Sequence, residues 1–212
     1  MILPQLQQVR KHVQVKQNAV FKMTHDYSFR YGFSVTLESS LERDYFNFRH
    51  YENDFPFFEM QPDRIYYKSK NGHQTPYGAD GRYIDENGEE HLDEVKYLID
   101  ANTPKNKLKH KLIEQHCVNH GIYFSVLTEI DIRVGERAAN LCYLHPCWSL
   151  PSPVEELSQL CKKIDFTEAT IQKWSTACTK NGFAPSLIRR AIAHKLLKCD
   201  ITQPWTNLYL TV

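Results

Sequence analysis

A chain of 212 residues, 42% apolar and 24% charged, is long enough to bury a proper core and ordinary in composition for a globular protein. Its formal net charge of +1 does not announce a nucleic-acid binder. No run of about 18 apolar residues is present to span a membrane, and Met1 to Lys22 lacks the apolar segment of a secretory signal, so a cytoplasmic protein is expected. The length suits one large domain with a small appendage.

The charges are unevenly placed. Asp85 to Glu94 is acidic. Lys105, Lys107, Lys109, His110 and Lys111 form one basic group, and Arg189, Arg190, His194, Lys195 and Lys198 a second. Such patches permit DNA contact, with Lys105, Lys107, Lys109, Arg189, Arg190 and Lys195 as the candidate residues. Solvated helix faces are the simpler account of either patch taken alone.

Residues 1–25 are polar and basic with little periodicity and read as an extended arm, suited to lie along DNA or a partner, or simply a loosely packed terminus. Ser39-Ser40-Leu41-Glu42 is a capping box, and Leu41, Tyr45 and Phe48 then mark the buried stripe of a helix ending near Tyr51 to Asp54. Pro56 to Gln61 reads as a short strand, stopped by Pro62, and Arg64 to Lys68 as a second, followed by a turn at Lys70 to His73. Thr103 with Pro104 starts the next helix, which runs to about His120 with Leu108, Leu112, Ile113 and Cys117 facing inward, and Gly121 stops it. Ile122 to Leu127 is apolar throughout, as a strand covered on both faces should be. With Leu92 to Tyr97 it forms a parallel β-α-β unit, expected to be right-handed. Gly135 to Leu144 is another helix.

Pro146, Pro151 and Pro153 then punctuate the chain, giving a division into an arm (1–25), a main α/β domain (26–148) and a small C-terminal unit (149–212). In that unit Val154 to Ile164, Thr167 to Asn181 and Pro185 to Lys198 read as helices, and Thr206 to Val212 as a strand. This is the make-up of a helix-turn-helix or winged-helix module, with the third helix placed to recognise DNA; a plain helical packing unit fits nearly as well.

The chemistry concentrates between Asp80 and Lys96. Tyr83 and Ile84 end one strand, Asn87-Gly88 supplies a turn, and Leu92, Val95 and Tyr97 carry the return strand. An acid followed across a hairpin by Glu-x-Lys is the arrangement used by metal-dependent nucleases of the PD-(D/E)xK class. Hydrolysing a phosphodiester needs a positioned water, charge stabilisation and help for the leaving oxygen, which Mg²⁺ can supply, and Mg²⁺ takes oxygen ligands. Asp80, Glu94 and the Val95 carbonyl are the candidate ligands, Lys96 the point charge for the attacking water, and Glu42, also explained as a capping acid, a third carboxylate.

Register decides whether these groups can meet. A two-residue Asn87-Gly88 loop would pair Asp80 with Val95 and turn its side chain away from Glu94 and Lys96. A three-residue loop, Glu86 to Gly88 with Gly88 left-handed, sets Asp80 opposite Glu94. His116-Cys117-x-x-His120 and Cys142-x-x-His145-x-Cys147 contain zinc-type ligands, but not at the usual structural-zinc spacings. The six cysteines form no Cys-x-x-Cys and are expected as small buried side chains.

The Ser39 to Asp44 helix start, Gln61-Pro62 after a strand, Tyr77 to Asp80 and Glu94-Val95-Lys96 resemble, in order and spacing over roughly residues 10–130, the TnsA family. These are endonuclease subunits of heteromeric transposases in cut-and-paste bacterial elements, some of them CRISPR-associated. The resemblance implies a restriction-endonuclease-like mixed sheet flanked by helices, carrying Mg²⁺ (or Mn²⁺) on Glu42, Asp80, Glu94 and the Val95 carbonyl, with Lys96 beside it. It implies cleavage of the 5′, non-transferred strands at transposon ends. The partners would be double-stranded DNA, a TnsB-type DDE transposase that cuts and joins the 3′ ends, and a TnsC-type AAA+ ATPase at the C-terminal region, in the bacterial cytoplasm at the nucleoid. Ala79 replaces the family's usual proline, and Glu94 stands where some members carry glutamine. A stand-alone restriction or repair nuclease of the same fold, or a non-catalytic DNA-binding or TnsC-docking adaptor, are the alternatives.

Overall fold

The computed structural model describes residues 24–28, 30–52 and 55–212. The expected arm lies outside the described residues except for its last two, Thr24 and His25, which belong to a strand.

That strand, β1 (Thr24–Ser28), pairs antiparallel with β2 (Phe33–Leu37). Helix α1 (Ser40–Glu52) follows, capped as expected: Ser39 Oγ accepts from the Glu42 N–H at 3.1 Å. Its buried face is wider than the expected stripe, because Leu41, Tyr45 and Phe46 are all at most 1% exposed while Phe48 is half-buried. Next come β3 (Phe57–Met60), β4 (Ile65–Lys68) and β5 (Gln74–Tyr77). The last pairs with β4 across the Lys70 to His73 turn, so Tyr77 closes one hairpin before the next begins.

β6 (Gly81–Ile84) and β7 (Glu90–Val95) form the acidic hairpin, α2 (Leu98–Ala101) and α3 (Pro104–Val118) follow, and β8 (Ile122–Leu127) returns to the sheet. The order is β3-β6-β7-β8, antiparallel except for the parallel β7–β8 pair. The molecule is therefore mixed α/β, a mixed sheet flanked by helices. β7, not the apolar β8, is the doubly covered strand: Leu92 to Val95 are all buried. β8 lies at the sheet edge, half-buried, with Tyr123 51% exposed. Apolar content misplaces these two strands because the acids of β7 are buried against cations, which sequence alone does not pair.

On one face α1, β2, Phe58, Met60, Tyr83 and Val95 make a core; on the other, Tyr67, Tyr77, Leu92, Ile113 and Cys117 make a second. Thr103 caps α3 from its side chain, accepting from the Asn106 N–H at 3.3 Å, with Pro104 at the first position. The inward face of α3 matches the expected one except at Leu108. His110, Ile113 and Cys117 are buried, whereas Leu108 is 43% exposed. Ile113 and Cys117 face inward as expected and Leu112 packs half-buried on the same core, so the difference lies in the first turns, where Lys109 and His110 rather than Leu108 face the sheet.

Two short helical pieces, α4 (Glu129–Ile132) and α5 (Arg137–Leu144), lead to the proline run. Beyond it lie α6 (Val154–Cys161), β9 (Glu168–Thr170), α7 (Ile171–Lys180), α8 (Ser186–Ala193) and β10 (Tyr209–Thr211). Thr167 does not open a helix. Its neighbours 168–170 pair with the tail as β9–β10, and Thr170 caps α7 instead, accepting from the Lys173 N–H. The core of this part draws in Leu141, Leu144 and Cys147 from before Pro151, and Tyr51 from α1.

α8 is the centre of that core, with Leu187, Ile188, Ala191 and Ile192 at most 1% exposed. Its basic groups are engaged within the chain. Arg189 stacks on Tyr143 at 4.6 Å and donates to Cys147 Sγ, and Arg190 binds Glu156 with two nitrogens and the Pro151 carbonyl with one of them. No helix among the described residues is long and apolar enough to cross a membrane.

Candidate active site

The β6–β7 hairpin has the longer loop. Asp85 N–H donates to Glu89 O (3.0 Å), Gly88 N–H to Asp85 O (3.1 Å), and Gly88 adopts φ +82°. This leaves Glu86, Asn87 and Gly88 as the loop and pairs Gly81 with Asp93. One residue further on, the register sets Asp80 opposite Glu94, the arrangement a shared site needs. At that point the strand leaves the ladder: Asp80 N–H donates to Asp93 O (2.9 Å), and Asp80 Oδ2 accepts the Val95 N–H (2.7 Å). Gln61, held in the left-handed region at φ +51°, donates its N–H to Asp80 O (2.8 Å) and its side-chain amide to Thr36 O. The Gln-Pro pair thus fixes the backbone of the aspartate.

Glu94 is 3% exposed and fully engaged. Tyr77 donates its hydroxyl to Oε2 at 2.7 Å, and Lys96 and Lys109 donate to Oε1 at 3.2 and 3.0 Å. His110 Nε2 lies 3.6 Å from the same oxygen. Burial pushes the Glu94 carboxyl up, but the Lys109 charge, the Tyr77 bond and Lys96 outweigh it and hold it below its ordinary value. Asp80 goes the other way. Burial and then the neighbouring Glu94 carboxylate push it up to about 7, opposed by the Val95 N–H, with Glu42 adding to the rise and Lys96 to the fall. Two acids across one hairpin therefore have opposite environments, a pattern found where acids do chemical work.

Glu42 stands at the start of α1, its carboxylate accepting from Glu38 N–H (3.0 Å) and Ser39 Oγ (3.1 Å). Its charge reaches Asp80. The structure thus sets Asp80, Glu94, Val95 and Lys96 at one end of β7, with Glu42 within electrostatic reach of Asp80. It adds Tyr77, Lys109 and His110, which sequence reasoning left out of the site. Lys109 counts there as a DNA-facing lysine, but its ammonium is bound to Glu94; Lys105 and Lys107 are exposed. A one-residue offset between apolar and basic positions on α3 is the signal that could have found it.

No family model matches this chain, and no curated protein matches it.

The donor set suits Mg²⁺ or Mn²⁺, since it consists of carboxylates and a backbone carbonyl. The raised Asp80 pKa marks negative charge that a divalent cation would neutralise. Glu94 would exchange lysine contacts for the ion, and Glu42 would turn from its capping contacts. Among the described residues, the ligand-type side chains gathered within 4.8 Å of one another are Asp85, Glu89 and His91 at the hairpin tip. Their closeness follows from the loop itself, where Asp85 Oδ1 accepts the N–H groups of Asn87 and Glu89. The Cys/His runs do not converge in this way. Cys117 is buried, its thiol pushed up to about 11 by burial and then by Glu90 and Glu114, and Cys142 is exposed.

Proposed function

We propose that this chain is a Mg²⁺-dependent DNA endonuclease of the TnsA type, the subunit of a heteromeric transposase that cuts the 5′, non-transferred strands at transposon ends. The observation that carries the proposal is the hairpin register: Asp80 opposite Glu94, with Lys96 and the Val95 carbonyl following on the same strand. The finer fold reading, a restriction-endonuclease-like domain with a winged-helix unit after it, belongs to the same proposal.

In this reading Asp80, Glu94, Glu42 and the Val95 carbonyl hold the ion, which supplies charge stabilisation and an activated water when bound. Lys96 orients the attacking water from beside Glu94. Lys109 and Tyr77 aim the Glu94 carboxylate. Lys105 and Lys107, exposed on α3, contact the DNA backbone as point charges. Arg189 and Arg190 brace the C-terminal unit, which presents its surface to a TnsC-type ATPase, while a TnsB-type transposase works on the opposite strand.

The test is strand-specific cleavage of end-containing DNA with Mg²⁺, with and without a TnsB-type transposase. Wild type should cut the 5′ strands with the partner present, and Asp80→Ala and Lys96→Ala should not, while remaining folded. Clean excision by either variant would remove the assigned site. Cleavage by the chain alone would favour a stand-alone nuclease.

A further inference from the structure

We infer that a second site, distinct from the Asp80–Glu94 cluster, binds a compact phosphate-type oxyanion between the C-terminal ends of α1 and α8. His50 lies eight residues along α1 from Glu42, about 12 Å at the helical rise. There, Arg30, His50, Tyr51, Trp148, Ala193, His194 and Lys195 line a cavity of about 210 Å³.

The first observation is charge. Among the described residues, arginine, lysine and two histidines line this cavity, and no carboxylate does. The acid close by, Asp26, is bound to His145 Nε2 at 3.0 Å. The second is an unanswered polar group. His50 is 7% exposed, stacked on Trp148 at a ring separation of 4.3 Å, and neither of its ring nitrogens has a hydrogen-bond partner among the described residues. A buried polar group without a partner is destabilising, and an imidazole N–H facing a cationic cavity is answered by an oxyanion. Burial and then the charge of Arg30 hold the His50 pKa down to about 4, with His145 and Lys195 adding to the fall and Asp26 opposing it.

The third observation is the placement of Lys195. Lys195 sits at φ +57°, a region that L side chains rarely occupy. It follows the last turn of α8 and carries its ammonium to the Tyr51 ring, 5.8 Å from the centroid. The turn is a Schellman C-cap, with Leu196 N–H donating to Ala191 O at 2.8 Å and Lys195 N–H to Ile192 O at 3.0 Å, and it fixes where the Lys195 side chain leaves the helix. The helix C-termini would oppose an anion, but at α1 the His50 carbonyl is already met by Arg30 Nη1 at 3.5 Å, and at α8 the Ala191 and Ile192 carbonyls are met by the N–H groups of Leu196 and Lys195. The volume takes one phosphate group with a small substituent and excludes a duplex, so the anion is either a free phosphate or one that a DNA strand extends into the cavity.

The experiment follows the His50 ring by NMR in the full chain during titration with inorganic phosphate, with chloride at matched ionic strength as the control. Phosphate should shift the His50 signals saturably and raise Tm. Lys195→Gly removes the charge and relieves the positive φ, so it should fold at least as well and bind about tenfold more weakly; Arg30→Gln should weaken binding similarly. Competition by duplex DNA would identify a strand phosphate as the source, and its failure a free phosphate. Absence of saturable shifts, an equal response to chloride, or wild-type affinity in both variants would overturn the site.

Discussion

Asp93 and Glu94 are neighbours in β7, and their carboxylates serve opposite faces of the sheet. Asp93 Oδ2 accepts from Tyr45 Oη (2.7 Å) and from Arg49 Nε (3.0 Å) and Nη2 (2.7 Å), all on α1. Glu94 is bound by Tyr77 before the hairpin, Lys96 after it and Lys109 on α3. Arg49 is enclosed by aromatic rings, with Tyr83 at 4.7 Å and Phe48 at 5.1 Å. The first network holds α1 to the sheet, and so places Glu42; the second is the proposed reaction site.

Asp93→Ala should cost about 3–5 kcal/mol, because it leaves Arg49 buried without its counter-charge. Glu94→Gln should cost less and abolish cleavage. Urea unfolding of both variants beside a cleavage assay separates the two roles; equal stability losses would contradict the division.

Gly81→Ala tests how α1 meets the hairpin. A methyl group there would lie 2.0 Å from Tyr45 Oη, the atom bound to Asp93. Relief requires the buried tyrosine to move and its bond to break, so a loss of about 2–4 kcal/mol is expected, measured as a lowered urea midpoint at unchanged slope.

The pH dependence of the metal-free protein should carry the signature of Asp80. Its folded pKa of about 7 lies above the unfolded value of 3.8. Between these values the folded chain binds more protons, so the Asp80 contribution makes stability fall as pH rises from about 4 to 7 and level off beyond. Glu94 acts in the opposite sense: its lowered pKa contributes stability that is lost as pH falls through the folded value. Asp80→Asn should therefore be more stable than wild type at pH 8 in chelator, by roughly 1–3 kcal/mol, yet inactive. Unfolding of the two proteins at pH 5 and 8 gives the answer.

Lys109→Ala and Tyr77→Phe remove donors from a buried carboxylate. Each should lower stability by about 1–3 kcal/mol and reduce cleavage without changing DNA affinity. Lys105→Ala and Lys107→Ala should leave stability unchanged and weaken DNA binding, with a shallower salt dependence. A filter-binding series over salt concentration separates the pairs.

Local signals in the sequence determined a good deal of this protein. The Ser39–Glu42 cap, the Thr103-Pro104 helix start and the Asn87-Gly88 turn each depend on a few adjacent residues, and each occurs where the spacing places it, apart from the exact loop length, which the sequence reduced to two alternatives. The β-α-β order after the hairpin was legible for the same reason. Contacts between distant segments lay beyond it. Ile122 to Leu127 looked central and is an edge, while β7, rich in acids, is buried because α1 and α3 supply Arg49 and Lys109. The arginines of α8 read as exposed until packing against Tyr143 and Glu156 engaged them. Burial of a charge depends on a partner brought from elsewhere in the chain, and only the tertiary structure names that partner.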